Sequence, residues 1–470
     1  MNNKFLKIYT KIVTGDIETP ITLYKKYVGE SRGFLLETKD LDNGRYSFIG
    51  KNHGSKISSR GNEVTIIDGL KSEIRTGKVL DITKEYMNNF KVINKQDFPF
   101  AGGVIGSMAY DVIRQYEKIP NETKKFLDIP DVDFMIVKDF IVYDHLKDEI
   151  IIVILEEDSK EGQKRADKKI DEIHELINKT HVKINKISQK NQNFNNIAKS
   201  NLSKEEYLKM VEKAKEYIVE GDIFQVVLSQ RWSVKVEEDP FVIYRRLRSL
   251  NPSPYLFYLN FGDYKIVGSS PEMLVKVSKD KVYTCPIAGT RKRGKDKEED
   301  DKLALDLIGD EKEKSEHVML VDLARNDMGR VSKIGSVHVV EFMKVKNYSH
   351  VMHLVSLVEG VKQEKKDPFN IVATFLPAGT LSGAPKIRAM EIIEELEKEK
   401  RGLYGGAIGY FSFDGNMDTC ITIRTMLIKD NIAYMQAGAG IVKDSIPEKE
   451  YEETKNKVRA LIKVVGRMEE

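Results

Sequence analysis

The sequence predicts an α+β fold built on antiparallel sheets, and three observations carry that prediction. Short strand patterns are joined by hairpin turns: Asp414-Gly415 interrupts 410–428, and Asp430-Asn431 opens 429–440. Helical patterns fall irregularly, near 300–325, 384–398 and 447–468, with no regular strand–helix–strand alternation and no internal repeat. The chain has 470 residues, too many for one ordinary core, so two domains or one composite domain are expected.

Taken in order, GRYSFIG (44–50), EVTIID (63–68) and FIVYD (140–144) read as strands. The β-branched run 148–155 suits a buried strand. Residues 158–178 are highly charged, with Ile170, Ile173 and Leu176 at helical spacing, which predicts a surface helix. The polar stretch 185–201, rich in Asn, Gln and Ser, reads as a linker. Boundaries follow at 8–155, 156–200 and 201–465. Ser203 and Glu206 form a capping box for a helix reaching Glu220, and Gly221-Asp222 ends it. Further on, 276–284 reads as a hairpin, and alternation in YSHVMHLVSLV puts His353, Val355 and Leu357 on one strand face.

Composition narrows the partners. Lys plus Arg is 76 against 73 acids, a net charge of +3, which leaves no electrostatic footprint for nucleic acid. The longest clean apolar run, 150–155, is strand length, so no transmembrane helix is expected. The N-terminus MNNKFLKIYTKIV lacks a signal-peptide core. Two cysteines, Cys285 and Cys420, allow no disulfide framework and fit a reducing cytosol. A cytoplasmic protein is expected.

Two acid pairs stand out. Glu313, Glu316, Leu320 and Leu323 share one helix stripe, and Glu450, Glu453, Lys457, Leu461 and Val464 share another. Glutamates continuing an inward stripe suit a hard cation such as Mg²⁺. Acids at a helix start also suit the dipole and solvent, and spacing leaves both open. His353 on an apolar face reads as a core histidine or a catalyst. Glycine turns at 377–386, 401–410 and 436–442 bring backbone amides close to a ligand or simply turn the chain. CPIAGTRKRG (285–294) reads as a phosphate turn, a hairpin connection or a site wall.

Together LLET (35–38), GRYSFIG, GDIFQVVLSQR (221–231), NPSPYLFYL (251–259), GSSPE (268–272), PIAGT (286–290), KEKSEHVMLVDLARND (312–327), VMHLVS (351–356), PAGTLSGAPK, YGGAIGY, DTCITIRT (418–425), GAGIV (438–442) and PEKEYEET (447–454) resemble the anthranilate synthase component I family. The resemblance runs from about residue 8 to 465. The wider family is the Mg²⁺-dependent chorismate-utilising enzymes. It implies two packed, mainly antiparallel β-sheets flanked by helices, an αββα sandwich with the site in a cleft.

The resemblance also implies roles. Glu316 and Glu453 match positions that hold Mg²⁺, with Glu313 and Glu450 supporting them. Glu272 resembles the general acid that protonates the departing 4-hydroxyl of chorismate, and His353 the histidine needed for pyruvate elimination. Arg424 and Tyr404 resemble the groups that hold the enolpyruvyl carboxylate. Gly289, Thr290, Thr380, Gly438, Ala439 and Gly440 line the site, and Lys457 contacts the ring carboxylate. Gln225 stands in the catalytic set where isochorismate and salicylate synthases carry a water-activating Lys. Ala288 stands where aminodeoxychorismate synthases commonly carry a nucleophilic Lys. Neither residue is a base or nucleophile, which favours ammonia attack at C2 and makes CPIAGTRKRG a substrate-site wall.

The implied partners are chorismate and a glutamine amidotransferase subunit that supplies ammonia, assembled as a heterotetramer. An L-tryptophan inhibitory pocket is implied in the N-terminal region, at Leu35, Glu37, Thr38, Ser47, Asn251, Pro254, Tyr255 and Leu256. Thr38 stands where Ser is usual, and Leu256 where Met is usual. The alternatives are aminodeoxychorismate synthase component I and a catalytically inactive amino-acid sensor.

Overall fold

A computed structural model describes residues 4–38, 44–94, 96–183, 196–348 and 351–468. Among these, two large sheets form, one 14-stranded and one 12-stranded. Pairing between named strands is antiparallel apart from two short edge pairings, Lys4–Leu6 with Phe90–Val92 and Ile197–Ala198 with Arg467–Met468. The α+β class and the packed-sheet architecture hold.

The larger sheet runs through Gln225–Lys235, Ile432–Ile441, Thr425–Lys429, Tyr264–Ser270, Tyr255–Asn260, Gly33–Glu37, Tyr46–Lys51 and Asp139–Asp144. Strands from the first 157 residues therefore pair directly with strands beyond residue 225. In one such pairing Glu37 lies opposite Leu256. In the other sheet Gly103–Met108 pairs with Ala407–Ser412.

The main core lies between the sheets. Phe48 and Phe140 from one side meet Phe100 and Tyr410, with Phe48 and Tyr410 edge to face at 6.0 Å. A second core sits under helices Lys160–Lys179, Pro240–Leu250 and Pro447–Ile462. Helices Glu311–Gly329 and Pro368–Phe375 cover the smaller sheet. The run 150–155 of strand Glu149–Glu157 is thus covered on both faces, by the main core and by helix Lys160–Lys179, which explains why it is buried without interruption.

Local chemistry sets the boundaries. Ser203 caps Lys204–Glu220 through the expected box with Glu206, and Gly221 closes it at φ 87°. Asp430 and Asn431 both take positive φ, as a tight hairpin requires. Three expectations are corrected. The helix near 300–325 is two helices, Lys297–Gly309 and Glu311–Gly329. Asp310 breaks it by accepting from the Lys312 and Glu313 amides at 3.0 and 3.2 Å. The buried stripe of Lys160–Lys179 is completed by Ile177, while Leu176 is exposed. Most of the polar linker 185–201, its residues 185–195, lies outside the described residues, and its end forms a strand, Ile197–Ser200, pairing with Trp232 and Ser233. No described helix is long and apolar enough to cross a membrane.

Candidate active site

Lys457, on helix Pro447–Ile462, is the hub of the site. Its ammonium reaches Glu453 at 2.6 Å and donates to the Gly438 carbonyl at 3.0 Å. Its backbone carbonyl accepts from the Arg424 guanidinium. Its charge also favours the ionised forms of Glu272, Glu316 and Glu450. Residues from four distant sequence motifs converge here.

Glu272 sits in the bend between strands Tyr264–Ser270 and Met273–Ser278, and only 8% of it is exposed. Burial pushes its carboxyl up to about 7. Two groups pull the other way: the Thr380 hydroxyl, which donates to Oε1 at 3.0 Å, and the Lys457 charge. A carboxyl with no cationic partner in contact among the described residues, half protonated near neutrality, is equipped to give a proton.

His353 lies on strand Val351–Val361, and its Nδ1 is 2.8 Å from the Gly289 carbonyl and 3.1 Å from the Thr290 hydroxyl. Burial holds its pKa below the usual value; the Gly289 bond opposes this and the Arg424 charge adds to it. The ring is therefore neutral at pH 7. A carbonyl only accepts, so Nδ1 keeps the hydrogen and Nε2 is left with a free lone pair.

Gly289 has φ +65°, and a side chain there would lie 3.1 Å from Glu313 Oε2. That close approach puts the His353 support against the acid-bearing helix. Arg424 itself takes φ 51° between two strands, a costly conformation for a non-glycine residue that aims its guanidinium inward. Burial lowers its pKa, with Tyr404 opposing. Gly438, Ala439 and Gly440 face Ser229, Leu228 and Val227 across the pairing. Gln225 begins that partner strand, and its amide would collide with any side chain at 440, at 2.5 Å. Ala288 is buried and pairs with Leu354.

The two acid pairs occupy the starts of their helices. Burial raises Glu316, and Glu313 and then Glu453 raise it further. Burial likewise raises Glu450, with Glu453 adding to it. Carboxylates from both helices thus sit in one another's field. Among the described residues no three of them close into a ligand set. Glu453 is turned to Lys457 at 2.6 Å, and Glu313 to Arg291 at 3.4 Å. Massed carboxylates with an all-oxygen donor set fit a hard divalent cation.

The tryptophan-pocket candidates divide. Glu37, Thr38, Pro254, Tyr255 and Leu256 line one cavity of about 490 Å³ between the sheets. Leu35 is buried in the second core, Ser47 bonds His145 at 2.8 Å and Asn251 bonds Ser269 at 3.2 Å; these three do not line the cavity. Glu37 is held by a two-pronged ion pair with Arg248, 2.8 Å on each arm. Two ion pairs beside the site escaped the sequence reading: Asp327 with Lys386 at 2.7 Å, and Glu397 with Arg401 at 2.6 Å. Only the second carried a signal, a Glu and Arg four residues apart.

Comparison with known proteins matches residues 38–463 to the chorismate binding enzyme family, and the chain belongs to it. Anthranilate synthase component 1 from Acetivibrio thermocellus is 51% identical over 467 residues, 97% of this chain and 94% of that protein. The Thermus thermophilus component 1 is 43% identical, covering 98% of each chain. The crystal structure of anthranilate synthase component I from Streptococcus pneumoniae superposes with a TM-score of 0.79 at 39% identity, over 96% of this chain and 99% of that one. Within the wider family, the chain belongs to the anthranilate synthase component 1 family. The menaquinone-specific isochorismate synthase of Escherichia coli, at 18% identity and TM-score 0.73, shares the fold, over 98% of this chain and 95% of that one.

Proposed function

We propose that this protein converts chorismate and ammonia to anthranilate and pyruvate, the first committed step toward tryptophan. The observation that carries this reading is the convergence on Lys457. The Lys457 ammonium pairs with Glu453 and lies in the field of Glu272, Glu316 and Glu450, while its backbone carbonyl holds the Arg424 guanidinium.

In the first step ammonia forms a C–N bond at C2, the ring double bonds shift, and the C4–O bond breaks. Glu272 gives its proton to the departing 4-hydroxyl, which leaves as water. The product is 2-amino-2-deoxyisochorismate. In the second step His353 Nε2 removes the C2 proton, the electron pair aromatises the ring, the C3–O bond breaks, and the departing enolate takes up a proton at its methylene carbon to become pyruvate. Arg424 and Tyr404 hold the enolpyruvyl carboxylate, and Lys457 the ring carboxylate. Gln225 and Ala288 supply neither a base nor a nucleophile, so water attack and lysine attack lack their reagent.

Glu316 and Glu453, supported by Glu313 and Glu450, would hold Mg²⁺. When bound, the ion neutralises the ring carboxylate and the massed acids. Ammonia comes from a separate glutamine amidotransferase subunit in the cytoplasm. The region 8–155 contributes an L-tryptophan inhibitory pocket, centred on the cavity beside Glu37 and Tyr255.

The test is product identification. The purified chain with chorismate, Mg²⁺ and an ammonium salt should yield fluorescent anthranilate and pyruvate, and glutamine in place of ammonium should yield none. Aminodeoxychorismate as the product, trapped by a lyase as 4-aminobenzoate, would move the protein to a different reaction.

A further inference from the structure

Behind the substrate-facing residues lies a buried ion pair that touches none of the reacting groups. Arg401 and Glu397 sit four residues apart in the irregular segment after helix Lys386–Leu396, with side chains 1% and 6% exposed. Arg401 Nε donates to Glu397 Oε2 at 2.9 Å, and Nη2 to Oε1 at 2.6 Å. Its remaining bonds go to two separate segments: Nη1 to the Leu381 carbonyl and Nη2 to the Val227 carbonyl, both at 2.6 Å. Glu397 Oε1 in turn accepts from the Ser229 amide and hydroxyl, each at 2.8 Å.

Those acceptors adjoin the site. Leu381 follows Thr380, whose hydroxyl bonds Glu272. Val227 is two residues past Gln225 and directly opposite Gly440. Tyr404 donates its amide to the Arg401 carbonyl at 3.2 Å, and its ring centre is 5.7 Å from the guanidinium. A buried ion pair is seldom more stabilising than apolar residues of the same shape. Stability alone gives little reason for a charge here, whereas a planar fork with fixed donors can hold three backbone segments in one register.

We infer that Arg401, locked by Glu397, is a positioning residue that fixes Thr380, Gln225 and Tyr404 as one layer behind the substrate. The consequence falls on Glu272, and this part rests on the reading of Glu272 as the acid. Thr380 favours its ionised form, so a loosened Thr380 lets the carboxyl hold its proton to higher pH. The charged groups facing Glu272 are Lys457 and, in the same small cavity, Asp327 with its partner Lys386.

The experiment is an infrared titration of the Glu272 carboxyl in the full chain, with its band assigned by Glu272→Gln. Arg401→Lys keeps the charge but loses the fork. The double variant Glu397→Leu with Arg401→Met replaces the pair by apolar volume and guards against simple misfolding. Both should remain folded by circular dichroism and raise the Glu272 midpoint by about one pH unit. The alkaline limb of kcat/KM should move with it. An unchanged midpoint in both folded variants, with only thermal stability altered, would overturn the inference. A shifted midpoint in a chain that makes no anthranilate would support the positioning and sink the proposed reaction instead.

Discussion

Two buried glutamates, Glu37 at the end of one strand of the larger sheet and Glu272 just past the end of another, with one strand between the two, have neighbours that give them opposite characters. Glu37 is 5% exposed and saturated: Arg248 grips both oxygens, and the Tyr244 hydroxyl adds a third donor. Glu272 is 8% exposed and has one hydroxyl, from Thr380. The first is gripped on both oxygens by one guanidinium, and the second keeps its proton to about pH 7. Burial alone specifies neither role; the number of donors within reach does. The cavity beside Glu37 is therefore bordered by a carboxyl group already held in place, and the pocket around Glu272 suits proton transfer.

If that contrast is right, changes on the Glu272 side should alter rate, and changes on the Glu37 side should alter inhibition and stability. The largest effect should come from the acid pairs. Glu316→Gln or Glu453→Gln should cut Mg²⁺-dependent kcat/KM on the order of a thousandfold, since several kcal/mol of charge stabilisation would be lost. Chelation of the wild type should do the same, and steady-state rates near wild type in both variants would remove these residues from the metal.

Next comes Glu272→Gln, with a rate loss of about a hundred- to ten-thousandfold. It also has a stability signature. Between the ordinary glutamate value of 4.5 and about 7, the unfolded chain gives up a proton that the folded chain keeps. Wild-type stability should therefore carry a downward contribution as pH rises through that window. Denaturant melts against pH should show this slope missing in the variant; an identical slope would mean that Glu272 ionises normally.

His353→Gln should slow pyruvate release about a hundredfold while 2-amino-2-deoxyisochorismate accumulates. Chromatography of quenched reactions separates this from a simple loss of turnover, which would leave only chorismate.

On the other side, Arg248→Ala leaves Glu37 buried and unpaired. It should cost about 3 kcal/mol in unfolding free energy and abolish tryptophan inhibition. The ammonia-dependent rate should stay within about twofold, and a large rate loss would merge the two regions into one. The smallest effect is Thr38→Ser, which should shift the tryptophan concentration for half inhibition by about threefold or less, at unchanged basal rate, because the hydroxyl is kept.

Much of this was legible in the sequence. The capping box at Ser203 and the hairpin at Asp430-Asn431 follow from local rules, because neighbours within four residues supply the deciding contacts. The strands 63–68 and 140–144 were legible from their own β-branched and aromatic pattern, although 140–144 pairs in part with the distant strand Tyr46–Lys51. The acid stripes followed from helical spacing. The break at Asp310 did not, because a charged residue inside a charged helical stretch gives no warning that its side chain will cap the next helix. The strand at Ile197–Ser200 did not either, since it closes a polar stretch with no strand pattern of its own, and only its pairing with Trp232 and Ser233 makes it one.

The sequence by itself determined the α+β class, the family and the residue types available for the chemistry, since motif order and local pattern are properties of the chain. Tertiary structure alone decided which of those residues act together. Lys457 meets Arg424, Gly438 and the field of Glu272 only because a helix and three strands converge there. Glu272 holds its proton because the fold buries it beside a single hydroxyl, and Glu37 differs because the fold delivers Arg248. Desolvation and ion pairing depend on distances in space, and no spacing along the chain encodes them.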